Sequence, residues 1–237
     1  MEQQLIGACK FGSVKTVKQL LSNNPQINLN FEDINQRTPF SLACEFGHIE
    51  IVKLLLSDNR VDVNKTNIDH KTPFYVACEF GYLEIMEILI KDKRIDVNKS
   101  QNQGATPLFV ACINQNAEII NLLLNDQRVD VNIPDNKGRT PFYLVCQFGY
   151  FDTAEYMLAC RKEIDLSAHN NKGNAAIDTL RDKERAGKNF WHSEEYHQIL
   201  IKRCRKFIEL LERFEREPNE TRFEMRIKLG FAGNPNF

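Results

Sequence analysis

This 237-residue chain contains seven cysteines, a residue type whose thiol can form disulfides, bind zinc or act as a nucleophile. The sequence contains no Cys-x-x-Cys pair of the kind that zinc sites use. Five of the seven recur every 34 or 35 residues, at Cys9, Cys44, Cys78, Cys112 and Cys146. Packed helices that share one repeat position lie about 8–10 Å apart, whereas a disulfide needs Cα atoms within about 7 Å. We therefore predict free thiols that act as small buried hydrophobes in a reducing compartment, and no metal site.

The five histidines do not form a catalytic or metal-binding pattern. His192 and His197 are five residues apart, which is not the spacing of a metalloprotease helix. His48 lies in a Gly-His turn, where local hydrogen bonding is its expected role. The sequence also lacks a glycine-rich phosphate loop and a nucleophile elbow. We therefore predict a protein that is not an enzyme and has no cofactor.

Composition excludes several classes of protein. Lys and Arg total 31 against 32 Asp and Glu, and such a near-neutral charge argues against a nucleic-acid partner. Hydrophobic residues make up 42% of the chain, enough for a folded core. No apolar run approaches the roughly 20 residues of a membrane span, and the N-terminus does not resemble a signal peptide. We expect a soluble, monomeric, cytoplasmic protein, with a nuclear location also possible and no membrane association.

The elements that position these residues follow an internal repeat. Thr-Pro occurs four times, each 34 residues after the last, at Thr38, Thr72, Thr106 and Thr140. Phe-Gly and Asp-Val-Asn recur with the same interval, as at Phe80-Gly81 and 96–98. Four copies in phase indicate a stack of similar structural units.

Each unit reads as two helices followed by an extended loop. In the copy at 72–98, the Thr72 hydroxyl is placed to cap a helix whose first turn contains Pro73. Gly81 ends that helix, and a second helix with an apolar stripe spans 83–90. We predict that the asparagines that end Asp-Val-Asn, at Asn64, Asn98 and Asn132, form hydrogen bonds between neighbouring loops.

These residues resemble the ankyrin repeat family. The match is carried by Thr-Pro-Phe-Tyr-Val-Ala-Cys at 72–78, Gly-Tyr-Leu-Glu-Ile at 81–85 and Asp-Val-Asn at 96–98. The chain departs from the family pattern in its 34-residue period and in the histidine of the first helix, which is replaced by Ser41, Tyr75, Phe109 and Tyr143. The resemblance implies an all-α ankyrin-repeat solenoid that binds protein partners through loop tips and a concave groove.

The sequence divides into an array and a cap. About five repeats span 1–180, with the first acting as an N-terminal cap. A charged linker is predicted over 181–192, a helical C-terminal capping segment over 193–230 that begins at a Ser193 cap, and a frayed tail over 231–237. The long capping helix has an apolar stripe that includes Ile199, Cys204 and Phe214, and a short helix after it carries Phe223 and Ile227 on one side.

The candidate partner-binding residues lie at the end of each first helix. They are Phe11, Glu45, Phe46, Glu79, Phe80, Ile113, Asn114, Gln147 and Phe148. The phenylalanines either form an exposed aromatic row or fold onto the neighbouring repeat, and the sequence favours neither. Glu45 and Glu79 would select basic partners. The nearby Tyr75, Phe109 and Tyr143 are predicted to pack between repeats instead.

The predicted function is non-catalytic protein–protein recognition, as a scaffold, an adaptor or a competitive inhibitor. A second hypothesis is that the chain is the targeting or regulatory region of a larger or truncated protein. A third is a purely structural spacer, which would have no partner.

Overall fold

A computed structural model describes residues 1–185 and 194–231, for 194–197 the backbone alone. Within these ranges every regular element is an α-helix, and β-type pairing is limited to an isolated bridge between His169 and Ala175. The helices in chain order are α1 Glu2–Lys10, α2 Val14–Asn23, α3 Pro39–Glu45, α4 Ile49–Leu56, α5 Pro73–Phe80, α6 Leu83–Leu89, α7 Pro107–Ile113, α8 Ala117–Asn125, α9 Pro141–Phe148, α10 Phe151–Ala159, α11 Ala176–Arg185, α12 Glu194–Arg216 and α13 Pro218–Lys228.

The chain folds into two compact units, Met1–Leu122 and Leu123–Phe237. The border between them falls inside α8, and thus inside the array predicted over 1–180. In the first unit α1, α3, α5 and α7 contact one another in that order, and each of the first three also contacts the helix that follows it in the chain. The first unit is therefore a stack of helix pairs, as the repeat predicts.

The Thr-Pro copies start helices in the predicted way. The hydroxyl of Thr72 accepts a hydrogen bond of 3.1 Å from the backbone N–H of Tyr75, and Pro73 is the first helical residue. Thr140 does the same in the second unit, again at 3.1 Å. Each threonine satisfies one of the backbone donors that a helix start leaves without a partner.

The glycine after each first helix has two functions. Gly81 ends α5 with a φ of 78°, a left-handed conformation that costs glycine little. Gly47 has a φ of 75°, and a Cβ added to it would lie 3.2 Å from the ring of Tyr82 in the next repeat. The position therefore needs glycine both for the turn and for the close approach of a neighbouring side chain.

The cysteines occupy the interior, as predicted. Cys44, Cys78 and Cys112 have no exposed surface, and the thiol of Cys78 donates a hydrogen bond of 3.1 Å to the carbonyl of Pro107. Burial raises the pKa of Cys9 and of Cys112 to about 12, because an apolar surrounding disfavours the thiolate. These thiols are therefore protonated and poor nucleophiles at neutral pH.

Asparagines join neighbouring loops, as predicted for Asn64 and Asn132. The Asn64 side chain donates to the carbonyl of Arg94 at 2.6 Å and accepts from the N–H of Asp96 at 2.8 Å. In the second unit Asn132 bonds to Glu163 and Asp165 in the same way, at 2.9 and 3.0 Å. One side chain thus satisfies a backbone acceptor and a backbone donor of the following loop.

The extra residue of the 34-residue period belongs to an Asp-x-Arg element that sequence analysis missed. Asp92 forms an ion pair with Arg94 at 2.7 Å, and that guanidinium also donates to the carbonyl of Leu56 at 2.7 Å. Leu56 is the last residue of α4, so the arginine satisfies a carbonyl at the helix end, where the helix dipole favours a cation. The same Asp-x-Arg spacing recurs at 58–60 and 126–128, and this recurrence is the sequence pattern that could have revealed the element.

The C-terminal segment of the second unit corrects the predicted linker. Residues 181–185 are not a loop, because α11 continues to Arg185. Arg181 pairs there with Glu212 of α12 at 3.1 Å, and Glu184 pairs with Arg205 at 2.6 Å. The rest of the predicted linker and the Ser193 cap lie outside the described residues.

The apolar pattern of the C-terminal helices is only partly buried. Helix α12 buries Cys204 and Phe214 as predicted, but Ile199 is exposed. Phe223 and Ile227 share a face of α13 and are exposed, because that helix packs through Thr221 and Met225 instead.

The tail prediction is also corrected at its first residue. Phe231 is not frayed, because its ring packs edge-on against Tyr156 with centroids 5.2 Å apart. The remainder, 232–237, lies outside the described residues.

Candidate functional site

Large apolar side chains are exposed at the C-terminal ends of the first helices of the first unit. Phe11, Phe46 and Phe80, called the aromatic row below, are 78%, 40% and 54% exposed. In the next repeat the equivalent residue is Asn114, and Ile113 just before it is 40% exposed. They follow or end α1, α3, α5 and α7, which contact one another in that order. Of the two arrangements that the sequence left open, the exposed one is therefore observed.

Two rings of the aromatic row rest on a second ring two residues later. Phe46 stacks on His48 with centroids 6.4 Å apart, and Phe80 stacks on Tyr82 at 6.0 Å. These supporting rings contact the preceding repeat, because His48 Nε2 lies 3.0 Å from the carbonyl oxygen of Lys10 and the Tyr82 ring lies against Gly47. The exposed rings are thus held in place before any partner arrives, which lowers the entropy cost of binding.

Phe11 is supported differently, because Ser13 stands where the next two repeats have His48 and Tyr82. The ammonium group of Lys10 lies 5.5 Å from the centroid of the Phe11 ring. Such a cation–π contact contributes about 0.5–1 kcal/mol at an exposed site.

Glu45 and Glu79 do not present free carboxylates. Glu45 is paired with Arg37 at 3.0 Å, and Glu79 is paired with Lys71 at 2.8 Å. In each pair the cation lies eight residues earlier, at the base of the preceding loop. The expectation that these two residues select basic partners loses its main support, because each carboxylate already has a counter-charge.

The two remaining polar candidates are also engaged. The side-chain amide of Asn114 donates to the carbonyl of Glu79 at 2.9 Å, which ties the end of α7 to the end of α5. In the second unit, Gln147 accepts from Arg139 at 3.3 Å.

The second unit carries one ring of the same type. Phe148 is 52% exposed and stacks on Tyr150 with centroids 5.6 Å apart. The support by a ring two residues later is therefore the same in both units.

The second set of aromatic residues is buried, as predicted. Tyr75, Phe109 and Tyr143 retain 3%, 2% and 2% of their surface. They lie in the first turn after the capping threonine, whereas the exposed phenylalanines lie at the opposite end of the same type of helix.

Two exposed isoleucines at loop tips were missed by sequence analysis. Ile34 is 93% exposed and Ile68 is 54% exposed, and the N–H of Ile68 donates to the carbonyl of Asn35 at 3.0 Å. The sequence pattern that could have revealed them is an apolar residue at the tip of an otherwise polar loop, which occurs in two successive repeats.

Two basic residues of the capping helix α12 are paired rather than free. Arg203 donates to Asp152 at 3.0 Å, and Arg205 donates to Glu184 at 2.6 Å. Both side chains remain largely exposed, so these pairs lie on the solvent-facing side of α12.

The described residues contain neither a metal-binding cluster nor a membrane-spanning helix. No group of three or more His, Cys, Asp or Glu side chains in 1–185 and 194–231 is arranged to hold a metal ion. In the same part of the chain, no helix has the length and hydrophobicity that crossing a membrane requires.

Comparison with known proteins identifies the repeat. A sequence model described as ankyrin repeats in three copies matches residues 5–101 and again 94–170, which is more than half of the chain. No curated protein matches the chain significantly.

Proposed function

Since the chain belongs to the ankyrin repeat family, whose members are generally protein–protein interaction modules and typically non-catalytic, we propose that it is a non-catalytic binding protein whose partner covers the aromatic row. The observation that carries this proposal is the exposure of Phe11, Phe46 and Phe80 at one repeat position. Aromatic side chains, Phe among them, are enriched in the cores of protein interfaces, where a few buried anchors carry most of the binding energy.

The two central rings, Phe46 and Phe80, would supply most of the apolar burial in the proposed complex. Complete burial of a phenylalanine side chain is worth about 1.5–3 kcal/mol, and the stacked arrangement on His48 and Tyr82 is already formed. A partner that covers Phe46 and Phe80 therefore gains apolar burial without ordering these side chains. The neighbouring carboxylates contribute to the shape and polarity of the rim rather than to charge selection, because Arg37 and Lys71 neutralise them.

The contacts proposed for the partner extend along the first unit. Ile113 and Asn114 continue the row in the last repeat of that unit, and the exposed tips at Ile34 and Ile68 supply further apolar surface. Gln147 and Phe148 are the corresponding positions of the second unit. A scaffold, an adaptor and a competitive inhibitor would all use such a surface.

The proposal is tested by capture of partners on the immobilised chain, followed by quantitative mass spectrometry. The variant Phe46→Ala/Phe80→Ala should lose at least one protein that the unaltered chain retains, with an affinity loss of about tenfold or more once that protein is isolated. Its thermal midpoint should be unchanged, because both rings are exposed.

A matched control removes exposed apolar surface elsewhere. Phe223→Ala/Ile227→Ala on α13 deletes side chains that are 62% and 52% exposed and should retain the same protein. Identical captured sets for the unaltered chain and the aromatic-row variant would contradict the proposal. Loss of the protein with the α13 variant alone would also contradict the proposal, because that result would place the binding site on α13.

The predictions of a monomer, of a cytoplasmic or nuclear location and of no nucleic-acid partner rest on composition alone. They remain predictions beside the proposed function.

A further inference from the structure

The second unit contains a cleft of about 730 Å³ between two loop tips and the helices α9 and α11. Its described lining holds four basic side chains, Lys137, Arg139, Lys172 and Lys183, and one acidic side chain, Asp182. We call it the basic cleft. A cleft of this volume has room for several atoms or residues of a ligand and is larger than a single small ion needs.

The two loop tips are held against each other. Both have the sequence Asn-Lys-Gly, at 136–138 and 171–173. The N–H of Asn171 donates to the carbonyl of Lys137 at 2.9 Å, and its side-chain amide donates to the carbonyl of Asn136 at 2.9 Å. A Cβ added to Gly138 would lie 2.5 Å from Asn171 Oδ1, so the backbones are in close contact. Lys137 and Lys172 are therefore fixed on adjacent tips.

Neither of these lysines has a counter-charge in the described part of the chain. Both are exposed, and no carboxylate of 1–185 or 194–231 forms an ion pair with either ammonium group. Two loop lysines of the first unit differ, because Lys65 pairs with Glu32 at 2.9 Å and Lys71 pairs with Glu79 at 2.8 Å. Two like charges held on adjacent tips without an anion repel each other, and an anionic ligand would relieve that repulsion.

The arginine of the basic cleft lies beside a neutral residue where its counterpart in the first unit lies beside an acid. In the first unit, Arg37 pairs with two carboxylates, Asp33 at 2.8 Å and Glu45 at 3.0 Å. In the second unit, Arg139 pairs with the carboxylate of Asp135 at 2.6 Å, and the residue equivalent to Glu45 is the neutral Gln147. This exchange makes the cleft one unit of charge more positive.

A hydrogen bond holds the second tip against α9. The side-chain amide of Asn170 donates to the hydroxyl oxygen of Tyr143 at 2.7 Å. Tyr143 retains 2% of its surface, so this bond positions the tip that carries Lys172, and the cleft offers a ligand its cationic groups.

We propose that the basic cleft binds an acidic segment of a partner protein, with a carboxylate or phosphate group between Lys137 and Lys172. Both groups present the anionic oxygens that ammonium groups recognise. The inference goes beyond the proposed function, because it concerns another unit and another chemistry than the aromatic row.

The test is fluorescence anisotropy with defined peptides. The probes are a fluorescein-labelled octaglutamate peptide, a peptide of equal length that contains phosphoserine between neutral residues, and octaglutamine as the uncharged reference. The unaltered chain should bind at least one anionic peptide and should not bind octaglutamine. Lys137→Gln/Lys172→Gln should weaken that binding about tenfold, and salt near 1 M, where the Debye length is about 3 Å, should abolish it.

A matched control separates the cleft from general charge. Lys91→Gln/Lys93→Gln removes two exposed lysines of the first unit and should bind like the unaltered chain. Phe46→Ala/Phe80→Ala should also bind like it, so that failure of the aromatic-row proposal leaves this result intact. The relative affinity of the two anionic peptides tells carboxylate from phosphate. Equal affinities for the Lys137/Lys172 variant and the unaltered chain, or no binding of either anionic peptide, would overturn the proposal.

Discussion

The first and second units are built on one repeat pattern but expose different chemistry. The first unit presents the rings of Phe46 and Phe80 and pairs its loop residues Lys65 and Lys71 with carboxylates. In the second unit, Lys137 and Lys172 have no acidic partner among the described residues, and Gln147 stands where the first unit has an acid. The positions that form caps, turns and core are shared, so the difference between the units lies in the exposed positions, where binding specificity can vary without loss of the fold.

The largest expected effect concerns rings that differ in burial. Phe74→Ala in the first unit and Phe142→Ala in the second should each lower the free energy of unfolding by about 3–5 kcal/mol, because both rings are buried. Phe80→Ala should change it by less than about 0.5 kcal/mol. Urea unfolding measures all three. A loss for Phe80→Ala that equals the loss for Phe74→Ala would show that the aromatic row is part of the core.

Helix caps should contribute equally in the two units. Thr72→Ala and Thr140→Ala each remove a cap bond of 3.1 Å and should cost about 1–2 kcal/mol of unfolding free energy. Thr72→Ser keeps the hydroxyl and should cost clearly less. The comparison fails if the serine variant is as unstable as the alanine variant, because the cost would then come from the lost methyl group.

The loop asparagines should contribute somewhat less. Asn64→Ala removes two hydrogen bonds to the following loop and should cost about 1 kcal/mol, and Asn132→Ala should cost a similar amount in the second unit. Asn59→Ala, at an exposed loop position, should be within about 0.5 kcal/mol of the unaltered chain. Chemical denaturation of the three variants measures their unfolding free energies. A larger loss for Asn64→Ala and Asn132→Ala than for Asn59→Ala would show that the hydrogen bonds between loops stabilise the fold.

The smallest expected effect is on the thiols. Burial raises the pKa of Cys9 and Cys112 to about 12 and raises that of Cys146 as well. The thiol form therefore persists at about pH 8, where an exposed cysteine is partly ionised and reacts. Iodoacetamide at that pH should label none of the three in the folded chain and all of them in guanidinium. Oxidising agents should likewise leave the migration of the monomer on a non-reducing gel unchanged, and an intramolecular bridge would contradict the prediction.

Local chemistry made some elements predictable from sequence. The cap at Thr72 and the left-handed turn at Gly81 depend on residues within one turn of the helix, so their pattern was sufficient. The burial of the repeated cysteines followed from their fixed place on the inner helix face.

Contacts between distant residues could not be predicted in this way. The sequence left open whether Phe80 is exposed or packed, because that depends on how closely the neighbouring repeat approaches the helix end. Partner selection was predicted for Glu45 because its cation, Arg37, lies eight residues earlier, and only the fold brings the two side chains together. Phe223 and Ile227 share a helical face, but the pattern does not tell whether that face meets another helix or solvent.

Central to this account is the claim that Phe46 and Phe80 are a recognition surface and not core. Hydroxyl-radical footprinting of the chain, alone and with the captured partner, measures the oxidation rate of each ring directly. In the free chain both rings should be oxidised at rates like that of the exposed Phe223, and the buried Phe74 should be protected. Addition of the partner should protect Phe46 and Phe80 and leave Phe223 unchanged. Unchanged oxidation of Phe46 and Phe80 in the complex would contradict the account.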